Sequence, residues 1–140
     1  MNAFLIQAMA QKLGLPQALF FEVTASTNDE ALRLAEAGAP DETLVAADHQ
    51  THGRGRMGRS WITQKGSALA FSLVLRPRPQ ERERLGLFSP LGAMSVASAL
   101  EDLGLQPQVK WPNDVLLNRK KVCGILAEAS WTGERVNSTL

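Results

Sequence analysis

This sequence has one cysteine, little net charge and no long apolar run, and each of these absences excludes a class of protein. The single cysteine, Cys123, excludes a framework of internal disulfides and gives no metal-site spacing. The formal net charge is +1, whereas general nucleic-acid and membrane-surface binders are usually strongly basic. No apolar run reaches membrane-spanning length, and the N-terminus lacks the pattern of a signal peptide. The sequence therefore predicts a cytoplasmic protein with no DNA partner and no membrane partner.

The composition is that of a folded domain. Of the 140 residues, 44% are apolar and 21% are charged, which favours a globular chain over a disordered one. This length is sufficient for a hydrophobic core, and no repeat or linker interrupts the sequence. We therefore predict one domain over residues 1–140.

The stretch over residues 50–61, QTHGRGRMGRSW, is the most unusual part of the chain. It alternates glycine with arginine: Gly53, Arg54, Gly55, Arg56, Gly58 and Arg59. Glycine lets a backbone approach a ligand closely, and arginine carries a permanent charge whose fork fits carboxylate or phosphate oxygens. The pattern predicts a mobile loop that clamps an anion and becomes ordered on binding it. A basic surface loop or a patch for nucleic acid explains the same composition.

Apolar periodicity predicts the helices and strands. Helices are predicted over residues 2–13, 26–38 and 89–104. Strands are predicted over residues 19–23, 42–47, 60–62, 69–75, 109–111, 115–117 and 121–128. Because the strands lie close in sequence and are joined by hairpins, the pattern favours an α+β fold with a mixed, mostly antiparallel sheet packed against helices.

Several side chains are predicted to define these elements. Thr27 followed three residues later by Glu30 is the pattern of a capping box, and Ser89 before a proline is typical of a helix start. Gly124 lies inside a predicted strand, where glycine implies either a ligand lying on the sheet or a bulge. The charged residues 80–84 are predicted to form a solvated connection.

Two of these elements carry a conspicuous apolar set. The first helix carries Phe4, Leu5, Ala8, Met9 and Leu13 at helical spacing. The strand over residues 69–75 carries Leu69, Phe71, Leu73 and Leu75 on one face.

Lys110 is the third cation of interest, because it ends an otherwise apolar strand. A lysine there either extends its ammonium group into water or pairs it with an anion. A carboxylate that attacks a phosphate brings two anions together, and such chemistry needs fixed cations and a magnesium ion. Arg54, Arg56 and Lys110 would suit it. His49 and His52 have no further ligands at metal-site spacing, so no metal site is predicted.

Four stretches in one order resemble the bacterial biotin protein ligases: residues 26–28, 53–58, 110–114 and 121–128. The resemblance covers about residues 20–130. It implies a fold shared with lipoyl ligases and related to class II aminoacyl-tRNA synthetases. It also implies that biotin and Mg-ATP give biotinyl-adenylate and pyrophosphate, after which the adenylate acylates a lysine of the biotin carboxyl carrier domain of acetyl-CoA carboxylase.

The resemblance implies a role for each matching residue. The residues implied to contact the biotin head group are Ser26, Thr27, Asn28 and Gln50. Those implied to form the loop over biotin and the adenylate phosphate are Arg54, Gly55 and Arg56. Those implied on the nucleotide side are Arg56, Trp61 and Asn113. Lys110 is implied to contact the biotin carboxylate and the reacting phosphate, and Gly124 to lie beneath biotin. The predicted substrates are biotin and ATP, with Mg²⁺.

The sequence departs from the family pattern at three points. Met57 stands where many relatives have another arginine, so we expect that cation to be dispensable. No DNA-binding domain precedes residue 20, so a repressor role is not expected. The family continues beyond the length of this chain with further strands and a small barrel, so we expect a catalytic domain that is incomplete at its C-terminus.

Three further functions are compatible with the sequence. A lipoyl-ligase-like adenylating enzyme uses the same chemistry as a biotin ligase. A nucleic-acid-binding module would use the Gly/Arg loop, and a truncated ligase would only bind biotin or self-associate, so a homodimer is also compatible with the sequence. We predict that positive charge from two distant segments, the Gly/Arg loop and Lys110, converges on one small acid and a triphosphate.

Overall fold

The structure is a computed structural model that describes residues 2–132 and 135–139, with side chains over residues 2–130. In chain order its regular elements are α1 (Ala3–Leu13), β1 (Ala18–Thr24), α2 (Thr27–Glu36), β2 (Thr43–Gln50), β3 (Ala70–Val74), α3 (Phe88–Asp102), β4 (Pro107–Lys110), β5 (Asp114–Leu117), β6 (Lys120–Gly124), β7 (Ala129–Thr132) and β8 (Arg135–Thr139). Short 3₁₀ helices cover Arg56–Gly58 and Pro79–Leu87. The chain divides into two compact units, one of Met1–Arg78 with Glu128–Leu140 and the other of Pro79–Ala127.

The first unit is built on a three-stranded sheet in the order β1-β2-β3. Strand β1 runs parallel to β2, and β2 runs antiparallel to β3. A parallel pair requires a crossover connection, and α2 supplies it. Helix α1 packs Ile6 and Ala10 against one face of the sheet, and α2 packs Ala31 and Ala35 against Val45 on the other. Helix α2 therefore contacts the sheet through alanines, and α1 through one isoleucine and one alanine.

The buried faces of α1 and β3 are not the ones that carry the largest apolar side chains. In α1 the buried residues are Ile6 and Ala10, whereas Phe4 is 83% exposed. In β3 the buried residues are Ala70, Ser72 and Val74, whereas Phe71 is 51% exposed. Burial in these two elements therefore does not follow the apolar sets that the sequence carries. The physical reason is close packing, because α2 approaches the sheet on the face where β3 has its smaller side chains.

The second unit is an antiparallel sheet in the order β4-β5-β6, covered by α3. Ala93 and Ala97 of α3 are buried against Val115 of β5. Val96 and Leu100 pack against this cluster, so α3 contacts the sheet through residues at helical spacing.

Three boundaries in the second unit differ from the prediction. Helix α3 begins at Phe88, and its N-cap position is Leu87, which makes no side-chain capping bond; Ser89 is already helical. The charged residues expected to form a simple connection form part of the 3₁₀ helix Pro79–Leu87, which leads directly into α3. Gly124 ends β6 rather than lying inside a strand, and β7 begins only at Ala129.

The α+β class is confirmed, because sheets with mainly antiparallel pairs pack against helices. Strands β7 and β8 form a further antiparallel pair in the first unit. Among the helices of the described residues, none has the length and apolar character that crossing a bilayer requires.

Candidate functional site

The start of α2 is capped by a side chain from the neighbouring strand. Gln50, the last residue of β2, accepts through Oε1 from the Thr27 backbone N–H at 2.7 Å and from Thr27 Oγ1 at 3.0 Å. Ser26 at the N-cap position makes no side-chain capping bond. Glu30 accepts from Thr24 Oγ1 rather than from the N-cap backbone. The predicted capping box was therefore wrong, because Thr27 lies one residue too late to cap and its hydroxyl group is bonded to Gln50.

A continuous polar network extends from this cap. Ser72 Oγ on β3 hydrogen-bonds Thr27 Oγ1 at 2.9 Å and also Asn28 Oδ1. The other end of the Asn28 amide donates from Nδ2 to Glu128 Oε2 at 2.7 Å. Ser26, Thr27 and Ser72 are all buried. The sequence predicted Asn28 as a ligand contact but did not indicate that protein groups bind both ends of its amide.

The Gly/Arg loop forms a small hairpin. The Trp61 N–H donates to the Gly53 carbonyl at 2.8 Å, and the Gly55 N–H donates to the Arg59 carbonyl at 2.7 Å. Between them Arg54 and Ser60 form an isolated antiparallel bridge, the only remnant of the strand predicted over residues 60–62. The loop is therefore closed by its own backbone bonds.

Among the glycines of the loop, Gly53 is the one for which steric contacts most clearly exclude any larger residue. A Cβ atom added there would lie 2.5 Å from the Trp61 carbonyl oxygen and 3.1 Å from Gln50 Nε2. The contact with backbone cannot be relieved by a side-chain rotation, so only glycine lets the hairpin close against Gln50. This glycine links the loop geometry to the capped start of α2.

Arg54 is paired with two carboxylates of the protein. Its guanidinium group binds Asp29 by two contacts, Nη2–Oδ1 at 2.7 Å and Nη1–Oδ2 at 2.9 Å, and Glu128 Oε2 at 3.1 Å. The hydrogen bond with Asp29 is the main cause that raises the Arg54 pKa; partial burial opposes it, and Glu128 adds to it. The cation predicted to bind a ligand anion is thus neutralised by Asp29 and Glu128, which the sequence pattern did not indicate.

The predicted residues of the first unit are brought together around α2 and the loop. Hydrogen bonds and ion pairs connect Gln50, Thr27, Asn28 and Arg54 through Ser72, Asp29 and Glu128. Ser26 precedes Thr27, Gly55 and Arg56 lie in the hairpin, and half-buried Trp61 closes it. Asp48 and His49 belong to β2 rather than to the loop. Over the described residues, no group of three or more His, Cys, Asp or Glu side chains could hold a metal ion.

The remaining predicted residues lie in the second unit. Lys110 ends β4, is exposed and pairs with Asp114 in the sheet register. Asn113 donates through Nδ2 to the Ile125 carbonyl at 2.9 Å, and the Ile125 N–H donates to the Asn113 carbonyl at 2.9 Å. These bonds tie the turn after β4 to the residue after Gly124. That the Gly/Arg loop and Lys110 meet on one ligand stays a prediction.

Lys121 is a candidate residue that sequence reasoning missed. Its Nζ lies 2.6 Å from Asp114 Oδ1, and a Cβ atom added at Gly124 would lie 2.8 Å from the same Nζ. The ammonium group therefore covers the surface that glycine leaves open at residue 124. The available signal was the lysine that begins the stretch over residues 121–128.

Cys123 packs in the cluster beneath α3. Burial is the main cause that raises the pKa of its thiol, while nearby Lys121 acts in the opposite direction. Partial burial therefore favours the neutral form of the thiol, which is the less reactive form of a cysteine.

Residues 20–137 match the Biotin/lipoate A/B protein ligase family, and the chain belongs to this family. Among curated relatives, the bifunctional ligase/repressor BirA of Bacillus subtilis (strain 168) is 43% identical over 125 residues, which are 87% of this chain and 38% of the relative. The biotin–[acetyl-CoA-carboxylase] ligase of Paracoccus denitrificans is 44% identical over 119 residues, which are 82% of this chain and 48% of the relative.

The solved structures that resemble this chain are biotin protein ligases. The Aquifex aeolicus enzyme in complex with biotin and ATP has a TM-score of 0.66 at 34% identity, covering 89% of this chain and 50% of that one. The Leishmania major enzyme with biotinyl-5-AMP has a TM-score of 0.64 at 26% identity, covering 89% and 54%. The chain thus spans about half the length of these relatives, or less. The family resemblance and the fold related to class II synthetases are confirmed.

Proposed function

We propose that this chain activates biotin with ATP and transfers it to a lysine of a biotin carboxyl carrier domain of acetyl-CoA carboxylase. In the first step a biotin carboxylate oxygen forms a bond to the α-phosphorus of ATP, and the bond to pyrophosphate breaks. In the second step the lysine amine attacks the acyl carbon, AMP leaves and the amine proton passes to solvent. Because the reaction consumes ATP, we place it in the cytoplasm.

The observation that carries the proposal is the polar network at the start of α2, in a chain whose relatives are biotin ligases. The head group of biotin is a cyclic urea with two N–H donors and one carbonyl acceptor. Thr27, Gln50 and Ser26 offer hydroxyl and amide groups of both kinds on one ordered platform. We propose that these residues bind the head group and that Asn28 and Ser72 hold the platform in place.

The proposed chemistry requires cations, because the attacking carboxylate and the phosphate are both anions. Arg54 and Arg56 of the loop are the proposed contacts to the carboxylate and phosphate, with Gly55 allowing close approach, and Trp61 and Asn113 on the nucleotide side. Lys110 was predicted as the reacting cation. The position of Lys121 over Gly124 makes it a second candidate for the same role.

We propose that Mg²⁺ enters the site bound to the phosphates of ATP. Magnesium at nucleotide sites keeps several waters and is held by one or two carboxylates together with substrate phosphates. We propose no role for DNA, because the net charge is +1, and we leave a homodimer as compatible.

The test is calorimetric titration of the chain with biotin and with ATP, followed by detection of biotinyl-adenylate by mass spectrometry. We expect both ligands to bind and the adenylate to form. Failure to bind either ligand, together with nucleic-acid binding that falls steeply with salt, would show that the chain is a nucleic-acid module instead.

Single substitutions should identify the reacting cations. We expect Arg56→Ala to lower the rate of adenylate formation by about a hundredfold or more, as the loss of one fixed charge contact at a reacting phosphate does. Lys110 and Lys121 are the two candidates for the reacting lysine, and Lys110→Ala and Lys121→Ala test them separately. The lysine whose loss matches that of Arg56 is the reacting one, and adenylate formation unaffected by either change would exclude both.

Matched controls come from the same segments. Arg59→Ala removes a charge from the same hairpin, and Lys120→Ala removes one from the residue before Lys121. Both should retain activity within about threefold, because salt screens exposed charges away from the reacting atoms. Circular dichroism of each variant checks that the fold is kept.

A further inference from the structure

Arg54 is bound by its two carboxylates in unequal ways. Asp29 accepts from both terminal nitrogens of the guanidinium group, at 2.7 and 2.9 Å, which is the two-point geometry that a ligand carboxylate or phosphate would adopt. Glu128 binds only Nη2, at 3.1 and 3.5 Å. The face of Arg54 best suited to a ligand anion is therefore already occupied by Asp29.

The two carboxylates also differ in their other bonds. Glu128 Oε2 accepts a second hydrogen bond, from Asn28 Nδ2 at 2.7 Å, and Asn28 is itself held by Ser72. Asp29 lies in the first turn of α2 and is 46% exposed, so water can solvate it as soon as its bonds to Arg54 break. Asp29 is therefore the carboxylate with the greater access to water once its bonds to Arg54 break, whereas Glu128 keeps its bond to Asn28.

The charges favour an exchange of anions over the addition of one. One guanidinium group between two carboxylates carries a local charge of about −1 before a ligand arrives, so a further anion at the same place would be repelled. If a ligand group of charge −1 takes the place of Asp29 beside Arg54, the charge around the guanidinium group stays at about −1. Replacement is thus the electrostatically allowed route.

We propose that Asp29 occupies the anion position of Arg54 in the empty site and gives it up to the ligand, while Glu128, anchored by Asn28, keeps Arg54 in place. This inference rests on the proposed function, because the anion is taken to be the carboxylate of biotin or a phosphate of ATP. According to this inference, Asp29 lowers the affinity of the site for the anion and Glu128 raises it.

The experiment is calorimetric titration of the whole chain with biotin and, separately, with ATP, for the wild type and three alanine variants. Asp29→Ala should tighten binding of the anion that Arg54 receives by about fivefold, because a competing and repelling carboxylate is gone. Glu128→Ala should weaken it by about fivefold, because Arg54 loses the group that positions it. Glu30→Ala, one residue along the same helix and bonded to Thr24 and Arg33, should change it by less than about twofold.

A neutral ligand shows whether Asp29→Ala acts by removing a competing carboxylate or by changing the shape of the site. Biotinol, in which a hydroxymethyl group replaces the carboxylate, should bind wild type and Asp29→Ala equally. Asp29→Asn, which keeps a polar side chain in the first turn of α2, is a second variant should the alanine change disturb the helix. Thermal melts followed by circular dichroism establish that each variant is folded.

The possible outcomes distinguish a failure of this inference from a failure of the proposed function. Unchanged or weaker anion binding in both Asp29 variants would overturn the inference, because Asp29 would then position Arg54 rather than compete for it. Tighter binding in both Asp29→Ala and Glu128→Ala would overturn it too, since a general effect of charge would suffice. If wild type binds neither biotin nor ATP, the proposed function fails, and the inference falls with it.

Discussion

In each of the two units one candidate cation is held by a carboxylate of the protein, Arg54 by Asp29 and Lys121 by Asp114. Arg54 and Lys121 are each more than a third exposed, so each ion pair contributes no more than about 1 kcal/mol to the free energy of unfolding. Pairs this weak keep a long side chain ordered without holding it against a ligand anion. In both units a charged side chain is therefore positioned before any ligand is present.

Cys123 gives a prediction at the residue scale. Burial raises the pKa of its thiol, so the folded chain favours the neutral form. We expect iodoacetamide at pH 8 to alkylate the folded chain at least about tenfold more slowly than the chain in denaturant, since the thiolate is the reacting form. The measurement is unambiguous because the sequence has no second cysteine.

The sign of the pH effect follows from the same shift. A raised thiol pKa stabilises the fold fully at pH values below the unfolded pKa, and this stabilisation is lost as pH rises through the folded value. The alkylation rate of the folded chain should therefore rise at higher pH than that of a free thiol. Equal rates for the folded and unfolded chain at pH 8 would contradict the assignment of Cys123 as a buried neutral thiol.

Helix α2 shows how one element depends on residues far away in sequence. Its first turn is capped by Gln50 from β2, and its face is bonded to Ser72 of β3. Gln50→Ala would leave the Thr27 N–H and hydroxyl group without their acceptor in a buried place. We expect a loss of about 1–3 kcal/mol in the free energy of unfolding, the usual cost of a buried polar group left unpaired.

Chemical denaturation measures this loss. Gln108→Ala is the matched control, because Gln108 is a strand glutamine on an exposed part of β4. We expect the control to change stability by less than about 0.5 kcal/mol, as exposed substitutions usually do. A Gln50→Ala chain as stable as the control would show that water replaces Gln50 as the cap of α2.

The same helix shows what sequence patterns can predict at this scale. Apolar spacing predicted a helix over residues 26–38, where α2 lies, because Ala31 and Ala35 recur at the helical period, a local property. The cap could not be predicted, because Gln50 lies 23 residues after Thr27 and meets it only through the fold. Which face of β3 is buried is likewise set by the fold, since α2 covers the side with the smaller side chains.

At the scale of the whole molecule, the sequence was sufficient to predict the family but not the contacts between side chains. Four short stretches in one order identified the family, because their order is far more specific than any single glycine or lysine. The same stretches did not indicate that Asp29, Glu128 and Asp114 neutralise Arg54 and Lys121, since ion pairs between separate elements leave no local pattern. The predicted cations could thus be named from the sequence, but their protein partners could not.

Ligand-linked stabilisation of the whole chain separates a biotin ligase from a lipoyl ligase. A ligand that binds only the folded state at a hundred times its Kd stabilises that state by about 2.7 kcal/mol. For a chain of this length, we expect biotin to raise Tm by about 8 °C. Lipoic acid is the matched control, because it also carries a carboxylate on an aliphatic chain but has a dithiolane ring in place of the cyclic urea.

The urea of biotin should decide between the two acids, because the platform of Thr27 and Gln50 is polar and a dithiolane ring has no N–H or carbonyl group to bond to it. Lipoic acid at the same concentration should therefore leave Tm within about 1 °C of the free chain, given that a missing polar partner in a buried site lowers affinity strongly. Gln50→Ala should also remove most of the shift produced by biotin. If lipoic acid raises Tm as much as biotin does, the polar platform does not select the head group, and the chain recognises only the carboxylate.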